Sequence, residues 1–148
     1  MLALAFRLGT TRYALRARDV VEVLPRRLLR DLPAAPAGIV GLLAYRGTLT
    51  PVVDLCRILL DRNCAPRRST RIVIVVLPDG DQTRWVGLLA EQVLDFIDVN
   101  ATLPGLRLPA TPWLGEHVGD APESPQLLDP GALLPEALQQ LFVREAVA

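Results

Sequence analysis

The sequence has no lysine. All sixteen basic residues of this 148-residue chain are arginine, and sixteen acidic residues bring the net charge to zero. Without lysine the chain has no P-loop of the usual kind, whose lysine contacts nucleotide phosphates, and no lysine Schiff base. A net charge of zero gives no general attraction to nucleic acid or to an anionic membrane surface. The composition therefore disfavours nucleotide-dependent enzymes and proteins that bind polyanions through overall charge.

Histidine, serine and cysteine are also scarce. His117 is the one histidine, and neither Ser69 nor Ser124 lies in a nucleophile-elbow motif. Cys56 and Cys64 have no CxxC partner and no flanking histidine, so they do not make a four-ligand zinc site in one chain. We expect Cys56, which lies among Leu55, Leu59 and Leu60 in a predicted helix, to be a small buried hydrophobe, and neither thiol to be structural or catalytic. These counts predict a protein that is not an enzyme and that uses no metal or cofactor.

Long hydrophobic runs are missing as well. No stretch approaches the roughly 20 apolar residues of a membrane-spanning helix. The apolar stretch at residues 1–8 is interrupted by Arg7 and is too short for a signal peptide. The sequence therefore predicts no direct membrane insertion, a cytoplasmic location and reduced thiols.

What the chain does contain is a series of short apolar segments separated by turns. Hydrophobic residues make up 51% and charged residues 22%, which is typical of a soluble globular protein. Alternating and β-branched patterns, bounded by glycine and proline, indicate about nine short strands and few long helices. This pattern predicts a mainly β protein built from small β-barrels. The predicted strands cover residues 2–8, 13–15, 20–24, 39–45, 48–53, 72–77, 84–90 and 127–128, and residues 93–99 are predicted to form a further strand or a mixture of strand and helix.

Three local signals lie close together in the first half. Arg46-Gly47 joins two predicted strands, and we expect a type I turn with Gly47 in the left-handed conformation as a bulge. Pro51 within the second of these strands predicts an edge or a bulge there. Asp54 is predicted to cap a short helix over residues 55–60, because its carboxylate can accept the free N–H groups of the first turn.

The second half is less regular. Residues 72–77 are apolar on both faces, which predicts a central strand. Residues 61–71 carry four arginines and read as an exposed linker, and residues 100–125 are rich in proline. A final amphipathic helix is predicted to begin at Pro130 or Pro135 and to continue to about Val143.

Read in order, these segments resemble the CheW family of chemotaxis coupling proteins over nearly the whole chain. The ordered pair Tyr45-Arg46-Gly47 and Pro51-Val52-Val53-Asp54-Leu55 carries the resemblance most strongly. The further matching segments are Phe6-Arg7-Leu8-Gly9, Tyr13-Ala14-Leu15, Val20-Val21-Glu22-Val23, Ile72-Val73-Ile74-Val75-Val76, Val86-Gly87-Leu88-Leu89 and Leu127-Leu128-Asp129.

The resemblance implies a fold of two SH3-like five-stranded β-barrels that share a hydrophobic core, with short helices and a C-terminal helix. Residues 1–148 would form a single CheW-like domain. Its first subdomain would take residues 14–66 plus the C-terminal helix, and its second residues 67–128 plus the N-terminal strand.

The resemblance also implies a non-catalytic scaffold that couples a chemoreceptor to a CheA-type histidine kinase. Its partners would be the regulatory domain of the kinase and the cytoplasmic tip of the receptor, and it would be recruited to membrane-associated receptor complexes. The residues that match the receptor-contact pattern are Val20, Gly41, Arg46 and Gly47. Glu22 and Gly87 match other family positions. Each of these glycines has a simpler interpretation as a turn or bulge residue.

The sequence also departs from the family pattern. Cys56 stands where an arginine is common, and Glu91 stands where an aspartate is common. The segment Trp113-Leu114-Gly115 resembles the CheW-like scaffolds of Wsp-type surface-sensing systems, so swimming chemotaxis and surface sensing both stay open. The alternative from another class is a small-barrel nucleic-acid-binding protein that uses the segment from Arg62 to Arg71. The zero net charge and the seven aromatic residues weigh against that alternative.

Overall fold

The structure is a computed structural model that describes residues 1–106 and 108–133. Most of the regular structure in these residues is β. A 3₁₀ turn spans Ala17–Asp19, helix α1 spans Leu55–Leu60, and helix α2 is described over Pro130–Leu133. The strands are β1 (Leu2–Leu8), β2 (Thr11–Arg16), β3 (Val20–Pro25), β4 (Ile39–Tyr45), β5 (Thr48–Asp54), β6 (Arg71–Asp79), β7 (Gln82–Ala90), β8 (Phe96–Asp98), β9 (Leu114–His117) and β10 (Gln126–Leu128).

The first sheet combines strands from the beginning and the end of the described chain. Its order is β8-β1-β2-β10-β9. β1 and β2 form an antiparallel hairpin in which Leu4 lies opposite Leu15, and both side chains are buried. β10 then pairs parallel to β2, and β8 pairs antiparallel to β1. The sheet therefore depends on contacts between residues that are far apart in sequence.

The second sheet has the order β3-β6-β7-β5-β4. β6 and β7 form a long antiparallel hairpin, and β5 pairs parallel to β7. β6 lies between β3 and β7, and its residues from Ile72 to Val75 are fully or almost fully buried. A strand that is covered on both faces has no need for alternating polar residues. The predicted central strand over residues 72–77 is therefore confirmed.

Strands from both sides of the predicted subdomain boundary, between residues 66 and 67, pair within one sheet. β6 and β7, placed in the second subdomain by that boundary, pair with β3 and β5. β2, half of which falls in the predicted first subdomain, pairs with β1 and β10. The buried strand β6 needs hydrogen-bonding neighbours on both edges because unpaired backbone groups in a core are costly, and β3 and β7 provide them. An exposed linker in the sequence therefore does not mark where one sheet ends.

A hydrophobic core shared by the two sheets holds the molecule together. Residues that alternate along β6 point to opposite faces, as the strand period of two requires. Val73, Val75 and Leu77 enter the shared core, and Ile72 and Ile74 enter a smaller core on the other face of the second sheet. The first sheet contributes to the shared core mainly through Leu4, Phe6, Leu8, Leu15 and Leu128.

The prediction of a mainly β fold with two five-stranded units and a shared core is confirmed. Among the described residues, no ladder joins the two edge strands of either sheet, so the hydrogen bonding alone does not close a ring. The predicted C-terminal helix begins at Pro130, and its continuation to residue 143 lies outside the described residues. No helix of the described part has the length and apolar character to cross a membrane.

Candidate functional site

The turn between β4 and β5 carries the central residue of the candidate site. Arg46 has a φ of 46° and Gly47 a φ of 79°, and Tyr45 pairs with Thr48. Both central residues are thus left-handed, the φ pattern of a two-residue type I′ turn. The prediction of a type I turn with a bulge at Gly47 is therefore wrong. A left-handed non-glycine residue costs roughly 1–2 kcal/mol, and the contacts of the Arg46 side chain offset that cost.

Those contacts come from three directions. The Nη2 atom of Arg46 lies 3.1 Å from Oε1 of Glu22 on β3. The guanidinium carbon lies 5.1 Å from the centre of the Tyr45 ring and 5.8 Å from the centre of the Trp85 ring. Cation–π contacts of this kind contribute about 0.5–1 kcal/mol at exposed sites. Glu22 and the two rings hold the guanidinium in place. Because 56% of the Arg46 side chain stays exposed, the group is still accessible to a partner.

Tyr45 is the buried residue of this arrangement and contacts its other three members. Its hydroxyl donates to Oε1 of Glu22 at 3.2 Å, and its ring meets that of Trp85 edge to face with the centroids 5.1 Å apart. Burial and the hydrogen bond to Glu22 raise the pKa of Tyr45, so the phenol stays protonated and can donate. We call Glu22, Tyr45, Arg46 and Trp85 the Arg46 cluster. The Arg46 cluster therefore connects strand β3, at one edge of the second sheet, with the β4–β5 hairpin at the other edge.

The sequence had singled out two members of the cluster, Glu22 and Arg46. Trp85 was missed because it lies on β7 and nothing nearby in sequence relates it to the turn. The Tyr-Arg-Gly motif contains Tyr45, but the motif alone predicts no separate role for this residue. Its position beside the turn arginine was the one available signal.

The other residues of the predicted receptor-contact set lie in different surroundings. Val20 begins β3 opposite Val75, half-buried against the shared core, and a β-bulge separates it from Glu22. Gly47 lies in the turn itself, where an added Cβ would meet no atom within 4 Å. The structure thus brings Glu22, Arg46 and Gly47 together and places Val20 on the same edge strand as Glu22.

Two glycines have clear packing roles. Gly41 has a φ of 152°, and an added Cβ would lie 2.8 Å from both the Arg30 carbonyl oxygen and the Leu29 Cβ. Residues 29 and 30 are held against β4 by two backbone hydrogen bonds of 2.8 Å between Arg30 and Leu42. At Gly87 an added Cβ would lie 3.0 Å from side chains of both neighbouring strands. These glycines allow close approach of chain segments, and a partner contact at either remains a prediction.

A second polar arrangement surrounds Glu91, directly after β7. This carboxylate is 6% exposed and accepts two hydrogen bonds of 2.9 Å from Arg62. It also accepts from the backbone N–H of Ala65 at 2.6 Å and of Gly9 at 3.3 Å. The hydrogen bonds from Arg62 are the main reason that its pKa falls to about 2, against the opposing effect of burial. Glu91 therefore joins the β1–β2 turn, the end of β7 and the Arg-rich loop.

A third arrangement lies at the start of α1. Asp54 is 2% exposed, and its Oδ1 accepts the backbone N–H groups of Cys56 and Arg57 at 2.9 and 3.3 Å. Its Oδ2 accepts the N–H of Cys64 at 3.0 Å. The predicted helix cap and the predicted burial of Cys56 are thus confirmed. Ligand atoms of Asp54, Cys56 and Cys64 lie within 4.8 Å of one another, but both carboxylate oxygens are already engaged by N–H donors.

Comparison with known proteins agrees with this architecture. Residues 2–114 match the model of the CheW-like domain. Protein FrzA of Myxococcus xanthus is 37% identical over 71 residues, which are 48% of this chain and 44% of FrzA. Chemotaxis protein CheW of Rhizobium meliloti (strain 1021) is 31% identical over 97 residues, which are 66% of this chain and 60% of that protein. The matches thus span less than two thirds of either relative.

A solved structure supports the fold independently. The crystal structure of scaffolding protein TtCheW from Thermoanaerobacter tengcongensis superposes with a TM-score of 0.77 at 22% sequence identity. The match covers 90% of this chain and 87% of that one, so the two five-stranded units adopt the same SH3-like arrangement. The match over residues 2–114, together with this fold, shows that the chain belongs to the CheW-like domain family.

Proposed function

We propose that this chain is a non-catalytic scaffold that couples a chemoreceptor to a CheA-type histidine kinase. It would act in chemotaxis or in a Wsp-type surface-sensing pathway, recruited to membrane-associated receptor complexes. Membership of the CheW-like family supports the proposal, as does the similarity to proteins described as a chemotaxis protein and a scaffolding protein. The observation that carries it is the Arg46 cluster, because it presents a fixed and accessible guanidinium at a turn.

Recognition of the receptor tip would use that guanidinium. Arginine is always charged, and its planar fork of five N–H groups suits a carboxylate or carbonyl on a partner helix. The contact with Glu22 engages Nη2, and more than half of the side chain stays accessible. Gly47 beside it keeps the turn free of side-chain bulk. Val20, at the start of edge strand β3, would add apolar contact of the kind that helix-in-groove recognition uses.

Binding of the kinase would use strand β4, which lies next to the Arg46 turn. We propose that the regulatory domain of the kinase contacts this edge of the second sheet, in part through apolar side chains. β4 is the edge strand of that sheet on the side of the Arg46 turn, and Leu49, on the neighbouring β5, is 48% exposed. Arg30 already pairs with Leu42 on β4, so a partner would use the side chains of this edge strand and its backbone groups away from Leu42.

The direct experiment combines purified receptor tip, kinase and the full chain. We expect the full chain to be captured by the isolated regulatory domain of a CheA-type kinase. We also expect receptor-dependent change of kinase autophosphorylation when the chain is added and none when it is omitted. If the chain binds none of the CheA-like kinases of the host, the proposal is contradicted. Choosing receptors from chemotaxis and from surface-sensing systems in the same assay distinguishes the two pathways.

The nucleic-acid alternative has weaker support. Arg62, the first arginine of the segment it requires, is already engaged by Glu91. The segment 62–71 contains no aromatic residue on which a base could stack. A titration of random nucleic acid at several salt concentrations tests this alternative, because binding through phosphates gives a steep dependence of affinity on salt.

A further inference from the structure

The two cysteines of the chain lie in direct contact. Cys56 is the second residue of α1, and Cys64 lies in the loop that follows this helix. Both are free thiols, and their Sγ atoms are 2.9 Å apart. A disulfide bond measures about 2.05 Å, so the two sulfurs would have to approach by less than roughly 1 Å to become bonded.

One buried carboxylate positions both cysteines. Oδ1 of Asp54 accepts the N–H of Cys56, and Oδ2 of the same group accepts the N–H of Cys64. The next residue, Ala65, donates its N–H to Glu91 at 2.6 Å. The loop that carries Cys64 is therefore fixed on both sides of the sulfur contact. Because the oxygens of Asp54 are occupied in this way, the cluster is better suited to joining its two sulfurs than to holding a metal ion.

We propose that Cys56 and Cys64 form a reversible intramolecular disulfide when the protein is exposed to peroxides. This site is independent of the proposed scaffold function. One of the two sulfurs, as a thiolate, attacks hydrogen peroxide, breaks the O–O bond and becomes a sulfenic acid with release of one water. The other sulfur then attacks the sulfenic sulfur, forms the S–S bond and releases a second water. The two sulfurs together lose two electrons, hydrogen peroxide gains them, and both thiol protons end in water.

The surroundings of the pair make the oxidation slow. Burial raises the pKa of both thiols, that of Cys56 to about 11, and the neighbouring carboxylates of Asp54 and Glu91 act in the same direction on Cys56. Arg62 opposes this effect on Cys56 but does not outweigh burial. Since the thiolate is the reacting species, the pair should respond to sustained oxidation and should react more slowly than an exposed cysteine. A dithiol reductant would restore the two thiols by exchange.

Tryptic mapping of the full chain tests the proposal. The folded protein is treated with hydrogen peroxide, the peroxide is removed, and the protein is unfolded in the presence of N-ethylmaleimide, which blocks the remaining thiols, before digestion without reductant. Arg57 and Arg62 separate the two cysteines, so the disulfide would join the peptide of residues 47–57 to the peptide of residues 63–67. We expect this linked pair, an intact mass lower by two hydrogens, and a protein that stays monomeric. Reduction should remove the linked pair and restore the original mass.

Cys56→Ser and Cys64→Ser are the matched controls, since each keeps one thiol of the pair. We expect neither variant to give the linked peptides, and the two thiols of the wild-type protein to disappear together. Independent conversion of each wild-type thiol to sulfinic acid, or linkage between two chains, would overturn the proposal. So would formation of the bond in urea-unfolded protein but not in the folded chain. We expect native mass spectra of the reduced protein to show no metal. A bound zinc ion that protects both thiols from alkylation would show that the pair is a metal site, and would overturn the proposal.

Discussion

Arg62 and Glu91 form a two-pronged ion pair across 29 positions of the chain, with Nη1–Oε2 and Nη2–Oε1 distances of 2.9 Å. The carboxylate is almost fully buried, whereas 43% of the arginine side chain is exposed. Glu91 also accepts backbone N–H groups from Gly9 and Ala65, so removing its charge affects three segments at once. This pair therefore links the first sheet to the loop that follows α1.

We predict that Glu91→Gln lowers the free energy of unfolding by about 1–3 kcal/mol at pH 7, the range for an unsatisfied buried polar group. The pKa of Glu91 falls from the usual 4.5 to about 2 in the folded protein, so its stabilising effect is complete above about pH 4.5 and is lost as the pH falls through about 2. Urea unfolding between pH 7 and pH 2 should show the difference from wild type shrinking in that window. The exposed Glu123→Gln is the control, and an equally large difference at pH 2 would contradict the prediction.

We predict that Arg46→Gly separates binding from folding. Glycine relieves the left-handed strain of roughly 1–2 kcal/mol, which offsets the lost contacts with Glu22 and the two rings, so melting should stay near wild type. Binding to the receptor tip should weaken tenfold or more, because a hydrogen bond from a charged group contributes about 1.5–3 kcal/mol. Sedimentation with receptor tips and thermal melting measure the two effects.

The matched control for that experiment is Arg12→Ala, which removes an exposed arginine at the start of β2 on the other sheet. It should leave receptor binding unchanged. Arg46→Glu is a less clean variant, because it places a second carboxylate beside Glu22 and would also lower stability. If Arg46→Gly binds receptor as well as wild type, Arg46 serves the turn alone.

We predict that Gly41→Ala is more destabilising than Gly47→Ala. The methyl group at residue 41 would meet the Arg30 carbonyl and the Leu29 side chain at 2.8 Å, in a backbone conformation that favours glycine. Strain and overpacking of this kind each cost about 1–3 kcal/mol. At residue 47 the space is open, and the left-handed backbone alone costs about 1–2 kcal/mol. Equal urea midpoints for the two variants would show that the close approach at β4 relaxes freely.

We predict that Asp54→Ala destabilises the protein by about 2–4 kcal/mol, because it removes a helix cap and leaves buried N–H groups of Cys56 and Cys64 without their acceptor. Asp54→Asn keeps one acceptor oxygen and should lose less. Alkylation of Cys64 with iodoacetamide should be faster in Asp54→Ala than in wild type, since the loop is released. Unchanged stability in Asp54→Ala would mean that solvent replaces the carboxylate.

Local chemistry explains which features the sequence could predict. The cap at Asp54 and the buried strand over residues 72–77 depend on neighbouring residues, and both are confirmed. The turn at Arg46 could not be predicted, because its left-handed arginine is stabilised by Glu22 on β3 and by Trp85 on β7. Nothing within the turn itself indicates those partners.

The same limit applies to the assignment of strands to sheets. Two parallel pairings, β5 with β7 and β2 with β10, bring together strands that are separated by other elements. Parallel pairing leaves no turn motif between its partners, so local sequence carries no sign of it. Glu91 was noted as a departure from the family pattern, but the arginine that explains its burial lies 29 positions earlier.

The composition of the first sheet has a consequence for how the protein folds. β1 and β2 end by residue 16, and β8 to β10, which complete their sheet, begin at residue 96. During synthesis the first hairpin must therefore wait until most of the described chain has been made before it finds its final neighbours. Folds with a high contact order form slowly, because the entropy of closing long loops is lost before the contacts form. Cutting the chain between β7 and β8 would keep all five strands of the second sheet but leave the first hairpin without its neighbours β8 and β10.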